Sequence, residues 1–285
     1  MRGRTVLLLV ALSASGCGDT NAALGQVAEA QRLSADLLYQ FTKAADASNR
    51  AVMADTDALS KTFADEAESS KTAISRDLAQ LQPLLDTLRY DTEGRLLQQF
   101  TERFGVYQAL DRRVLDLAVE NTNLKAQRLS FGTAQAAVDE FVRALERAVP
   151  RGDAAGAWRI RALTADAIAS VRDVQVLQAA HIADPSDTVM DGLETRMQAS
   201  MDRARRDLVG LTTASSDRAS VTDAAAALDR FVQVNVTILT LSRRNTNVRS
   251  LALSLDDKRR AIAPCDESAR ALHDALSKHG YPARR

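Results

Sequence analysis

Leu115-Asp-Leu117-Ala-Val-Glu-Asn121-Thr122-Asn123-Leu-Lys-Ala-Gln-Arg128-Leu129-Ser130 stands in register with Leu239-Thr-Leu241-Ser-Arg-Arg-Asn245-Thr246-Asn247-Val-Arg-Ser-Leu-Ala-Leu253-Ser254, at a constant offset of 124 residues. Seven of the sixteen positions are identical. The register extends outward, pairing Tyr107 with Phe231, Val114 with Ile238, Phe131 with Leu255 and Val138 with Ile262. A fixed period through so many apolar positions means that one supersecondary unit has been duplicated. Two such copies fill nearly all of the 285 residues.

Each copy reads as helix. Aromatic residues make up 4% of the chain, with 12 glycines and 5 prolines, the composition of long helices packed along one another. Apolar residues recur at steps of three and four through Leu97, Phe100, Phe104 and Tyr107, and again through Phe131, Ala134, Val138, Phe141 and Leu145. Copy two repeats the pattern through Met190, Leu193, Met197 and, one heptad on, Ala204, then through Ile262, Cys265, Ala269, Leu272 and Leu276. The expected fold is all-α: two tandem antiparallel four-helix bundles arising from an internal duplication.

Turn chemistry sets the expected boundaries. Pro150-Arg-Gly152-Asp153 interrupts the helical pattern and is read as the domain boundary. The layout is then a signal peptide at 1–16, a first bundle at 17–150, a second at 151–280 and a tail at 281–285. Asp184-Pro185 reads as an N-cap followed by proline at the first helical position, starting the second helix of copy two. The turn between the third and fourth helices falls either at Asn121-Thr122-Asn123 and Asn245-Thr246-Asn247, or at Ser130 to Thr133 and its counterpart. Matched helix lengths favour the asparagine motifs; at the alternative, Asn121 and Asn245 would be heptad positions where a buried Asn fixes register. Pro83 and Pro264 are expected to kink the helices that hold them.

The start of the chain suggests an address. Met1-Arg-Gly-Arg4 is basic, Thr5 to Ala14 is apolar, and Ala14-Ser15-Gly16-Cys17 follows, the layout of a secretory signal. The small residues ending on Cys17 resemble the lipobox of bacterial lipoproteins, with Ala14 where leucine is usual. That resemblance implies lipidation of Cys17 and an extracytoplasmic, membrane-anchored protein, as a periplasmic lipoprotein is.

Composition excludes other classes. Lys plus Arg and Asp plus Glu are both 37, so the net charge is zero and no basic stripe for nucleic acid exists. No haem attachment sequence, phosphate loop, His-Glu-x-x-His or nucleophile elbow occurs, so no catalytic residue, metal or cofactor is expected. Cys265, on an apolar heptad position, reads as a small core residue. Trp158 reads as an anchor of inter-domain packing.

Phe104-x-x-Tyr107, Val114-Leu-Asp-Leu-Ala118, the Asn121-Thr-Asn-Leu-Lys-Ala126 turn and Leu129-Ser130-Phe-Gly132 resemble the extracytoplasmic four-helix-bundle ligand-binding domain of methyl-accepting chemotaxis receptors. Asn245 to Ser254 is similar to it as well. The resemblance implies a sensory module that binds a small anionic ligand through arginines, and it nominates Arg128, on a heptad position between Leu124 and Phe131. Those receptors continue into a transmembrane helix and a cytoplasmic signalling hairpin, whereas this sequence ends at Arg285. Signalling is therefore expected to pass through a receptor or kinase partner; a homo-oligomer is compatible with the sequence. The competing expectation is a structural or scaffolding helical lipoprotein acting by protein–protein interaction.

Overall fold

A computed structural model describes residues 17–152 and 156–279, and those residues are helical apart from short turns. The expected signal peptide at 1–16 and tail at 281–285 lie outside them; Cys17 begins the first helix, but its side chain is not among those described. The order is α1 (Cys17–Met53), α2 (Asp57–Leu88), α3 (Asp91–Glu120), α4 (Thr122–Leu129), a π turn (Ser130–Ala134), α5 (Gln135–Ala148), α6 (Ala157–Ala183), α7 (Asp187–Ala214), α8 (Arg218–Arg244), α9 (Thr246–Leu253), a second π turn (Ser254–Lys258) and α10 (Arg259–Ser277). Pro83 and Pro264 sit inside α2 and α10 without ending them.

The helix ends follow local chemistry. Arg89 takes a left-handed conformation after α2, letting Tyr90 N–H bond Leu85 C=O at 3.0 Å and satisfy a terminal carbonyl. Asp217 caps α8 by accepting from Ser220 N–H at 3.0 Å. The cap of α7 is Ser186 and not the expected Asp184. Asp184 instead accepts from Ser186 N–H at 2.8 Å and shapes the turn before the cap.

The chain is all-α and divides into two compact, bundle-like units, as the duplication predicts, but each unit is assembled from segments of both copies. Unit 1 combines residues up to Asn49 with Phe63–Asp111 and the chain from Asp256 onward; unit 2 combines Arg50–Thr62 with Arg112–Leu255. Pro150-Gly152 accordingly lies inside unit 2, in the turn between α5 and α6, and marks no domain boundary.

The copies have exchanged their fourth helices. In unit 1, Leu33, Leu37 and Phe41 of α1, Ile74 and Leu81 of α2, and Phe100, Phe104 and Tyr107 of α3 pack with Cys265, Ala269, Leu272 and Leu276 of α10. Phe41 packs edge-on against Phe100 and Tyr107, with ring centres 6.1 and 5.1 Å apart. In unit 2, Val138, Phe141 and Leu145 of α5 join Val171 and Val174 of α6, Met197 and Leu211 of α7, and Leu228 and Phe231 of α8. Each fully buried Leu or Phe contributes about 1.5–3 kcal/mol, so Leu272 and Leu276 in unit 1, and Phe141 and Leu145 in unit 2, each stabilise a core built mostly by the other copy.

The joint before each fourth helix explains the exchange. Asn121 and Asn245 are single left-handed residues, with φ of 50° and 52°, and helix resumes at Thr122 and Thr246. Two helices lying antiparallel need a connection of about two to five residues. One residue redirects the chain without returning it along the helix it has just left. Asparagine suits the place because its short polar side chain tolerates positive φ.

The second departure from the sequence pattern lies in the π turns. Each inserts one residue into the helical phase at the same place in both copies. Phe131 and Leu255, counted among the apolar seam positions, are consequently turned to solvent, 69% and 62% exposed.

Candidate functional site: the paired asparagine joint and two buried polar centres

The two Asn-Thr-Asn motifs are each other's partners. Thr122 N–H donates to Thr246 Oγ1, and Thr246 N–H to Thr122 Oγ1, both at 3.1 Å. One position on, Asn123 N–H donates to Asn247 Oδ1 at 3.1 Å and Asn247 N–H to Asn123 Oδ1 at 3.2 Å. The side-chain amides cross as well: Asn123 Nδ2 donates to Asn245 Oδ1 at 2.7 Å and Asn247 Nδ2 to Asn121 Oδ1 at 2.8 Å. These bonds satisfy amides that have no intrahelical partner at the start of α4 and α9. Glu120 and Arg244, again 124 residues apart, close the edge with a 2.7 Å ion pair.

The symmetry breaks where the joint meets the end of α6 and the turn after it: Asn123 Nδ2 also donates to Ile182 C=O at 2.7 Å, a bond that Asn247 Nδ2 does not match among the described residues. Asn245 Nδ2 donates to Asp184 C=O at 2.9 Å, in the turn between α6 and α7. Asn121 Nδ2 is buried and has no hydrogen-bond partner among the described residues. An orphaned buried donor costs about 1–3 kcal/mol.

Arg128, the arginine nominated for a ligand, does not face the bundle interior. It is exposed, and its Nη2 donates to Asp55 C=O at 2.6 Å in the turn between α1 and α2. It caps that turn together with Lys125, which reaches Glu120 C=O at 2.7 Å and Asp57 at 3.3 Å. The π turn that follows, by shifting helical phase, detaches Arg128 from the seam in which its sequence spacing placed it. Trp158 is 73% exposed and anchors no packing of the kind expected from the sequence.

From the joint, a polar ladder continues within unit 2. His181, fully buried, shares hydrogen bonds with Ser242 Oγ through Nδ1 and with Glu194 Oε1 through Nε2, both at 2.8 Å. Ser242 Oγ donates to His181 C=O at 2.9 Å. Arg243 donates from Nε to Glu194 at 2.7 Å and also pairs with Asp191. The bonds from Arg243 first, and then from His181, hold the Glu194 carboxyl below its ordinary value against the opposing effect of burial. Further in, Gln178 accepts from Ser130 Oγ and donates to Asn235, each at 2.7 Å.

Unit 1 has a polar centre of different chemistry. Asp111 is fully buried; Lys71 Nζ donates to its Oδ2 at 2.7 Å, and Lys258 Nζ lies 3.5 Å from its Oδ1. Lys258 also donates to Ser48 Oγ at 2.7 Å, and Ser48 in turn bonds Asp111. Burial pulls the Lys258 ammonium below its ordinary pKa despite Asp111. Burial first, and then the Asp111 charge, pushes the Tyr107 phenol upward; its buried hydroxyl makes no hydrogen bond of good geometry among the described residues. Burial likewise pushes the Cys265 thiol up to about 12, leaving it an inert core residue.

This centre distinguishes the two fourth helices. At the 124-residue offset, Lys258 corresponds to Ala134 and Asp111 to Asn235. An unexchanged α10 would set a lysine against Asn235, with no carboxylate at that position, and leave Asp111 beside an alanine. Asp111 would keep Lys71, but Lys258 would be a buried ammonium with no carboxylate, which is strongly destabilising and favours entry of this segment into unit 1. Sequence reading missed this cluster because Lys71, Asp111 and Lys258 are far apart in the chain and none stands in a recognisable motif.

No protein-family model matches the chain, and no curated protein matches it. Among solved structures it is similar to the TorS sensor domain, in a crystal structure of that domain's complex with TorT in the presence of TMAO. The identity is 11% and the TM-score 0.34, over 90% of this chain and 99% of that one.

Proposed function

We propose that this protein is a non-enzymatic binding module of the sensory type, held outside the cytoplasmic membrane by a lipid on Cys17, that responds to a small anionic ligand and acts on a receptor or kinase partner. The observation that carries the reading is the reciprocal joint. Each helix break is bonded to the other, so a shift of α4 must be met at α9. A pair of breaks sharing one set of bonds is suited to moving together, which is what passing on a binding event requires.

Two measurements test it. Cys17→Ser in the full chain should move the protein from the membrane to the soluble extracytoplasmic fraction; retention after normal processing overturns the anchor. A thermal-shift screen of small organic acids should give a hit, since a ligand at a hundredfold excess over its Kd adds about 2.7 kcal/mol. Hydrogen exchange at Thr122, Asn123, Thr246 and Asn247 should change together on binding. Change at one motif alone removes the coupling.

A second reading rests on Phe131 and Leu255, both large, both exposed and at equivalent positions. Apolar side chains presented in this way suit a scaffolding lipoprotein that works by protein–protein contact. Pull-down of a membrane protein that is lost in Phe131→Ser, with no hit in the ligand screen, would favour it.

A further inference from the structure

Unit 1 carries a groove of about 520 Å³ between α3 and the start of α10. Its floor is apolar: Val106 and Leu110 of α3 face Ala261 and Pro264 of α10, and Val106 is left 57% exposed. Two arginines and Asp257 line its polar side; Asp257 is taken up by one of the arginines, and the arginines differ. Arg260 is exposed and paired with Asp256 at 3.0 Å and Asp257 at 2.8 Å. Arg103 is half-buried; its Nη1 donates to Pro264 C=O at 2.8 Å, and no carboxylate among the described residues pairs with it.

A guanidinium partly withdrawn from water beside an apolar surface favours a carboxylate that can accept from its fork. Inorganic phosphate would satisfy Arg103 and leave the floor uncovered. An uncharged apolar molecule would cover the floor and leave Arg103 without an anion. We propose that this groove binds a small monocarboxylate with an aliphatic or aromatic body, its carboxylate on Arg103 and its body over Val106, Leu110 and Ala261. The assignment rests on the reading of the chain as a binding module and gives that reading a place and a ligand class. It also ties binding to the exchange, because one wall comes from copy one and the other from copy two. A ligand seated there stabilises only the arrangement in which α10 packs on α3.

The test uses the full chain, with octanoate and phenylpropionate as probes and octanol and octylamine as controls, followed by calorimetric titration and thermal shift. Both carboxylates should bind and raise the Tm, and neither control should. Arg103→Gln retains a donor for Pro264 C=O and should weaken binding about tenfold or more, the loss expected for a charge-assisted bond. Val106→Glu, at an exposed position, should do the same by setting a like charge in the groove. Unliganded melts of both variants should match the parent. Octanol binding as well as octanoate, or failure of both carboxylates to bind, overturns the proposal. Carboxylate binding untouched by either variant also overturns this groove, while leaving the sensory reading in place with its site elsewhere.

Discussion

Thr122 and Thr246, 124 residues apart in the chain, donate their backbone N–H groups to each other's hydroxyls at the same 3.1 Å. The duplication visible in the sequence is thus a physical contact in the fold: the two equivalent helix breaks cap one another. Neither break is complete alone, because each supplies the acceptors for the other's unpaired amides.

That mutual capping predicts strong coupling between the two threonines. Thr122→Ala and Thr246→Ala should each cost about 1–2 kcal/mol, since each leaves a buried amide and a hydroxyl short of partners. The double variant should cost less than their sum. Urea denaturation of the four proteins measures the difference, and strict additivity would contradict the reciprocal arrangement.

Glycine should be tolerated unequally at the two left-handed positions. Both backbones suit it, but Asn245→Gly removes the bonds to Asp184 C=O and Asn123, whereas Asn121→Gly removes one acceptor and an amide that has no partner. The first should cost about 2 kcal/mol and the second under about 1. Equal losses in thermal or urea melts would mean that the joint is symmetric in solution.

Within unit 1, Lys71→Met should cost about 3–5 kcal/mol, because Asp111 is left with the 3.5 Å ammonium of Lys258, whose charge burial already disfavours. Lys258→Met should cost much less, since Asp111 keeps Lys71 at 2.7 Å and its bond from Ser48. Denaturation at neutral pH ranks the two, and the reverse order would refute this account of the cluster.

The His181–Glu194–Arg243 group predicts an acid-sensitive contribution. The folded Glu194 carboxyl titrates below its ordinary value of 4.5, so its stabilisation is fully present above that value and is lost as pH falls through the lower folded one. Glu194→Gln should therefore be less stable than the parent at neutral pH. The gap should close as pH drops well below 4.5, a trend that denaturation across a pH series would reveal.

The exchanged helices predict what dissection would do. Residues 17–150 lack α10, and residues 151–279 lack α4 and α5, so each piece keeps its own copy's fourth helix but lacks the one that packs on its first three. Each alone should show helix by circular dichroism without a sharp melt. Mixed, the two should form a heterodimer that melts cooperatively, as pieces sharing exchanged elements do. A sharp melt in either isolated piece would show that its own last helix can fold back.

The sequence by itself determined the helices, the duplication and the location of the breaks. Heptad spacing reports burial locally, and the asparagines mark the two equivalent left-handed breaks that precede the fourth helices. It left open which fourth helix packs on which three, because the copies carry the same apolar spacing and that pattern is degenerate. Only the tertiary structure decided this, through a one-residue joint too short to return the chain and through Lys258 and Asp111, whose meaning depends on their being brought together. The π turns show the same limit on a smaller scale. One inserted residue changes the helical phase, so Phe131 and Leu255 leave the seam and Arg128 finds a backbone carbonyl that no spacing rule could have named.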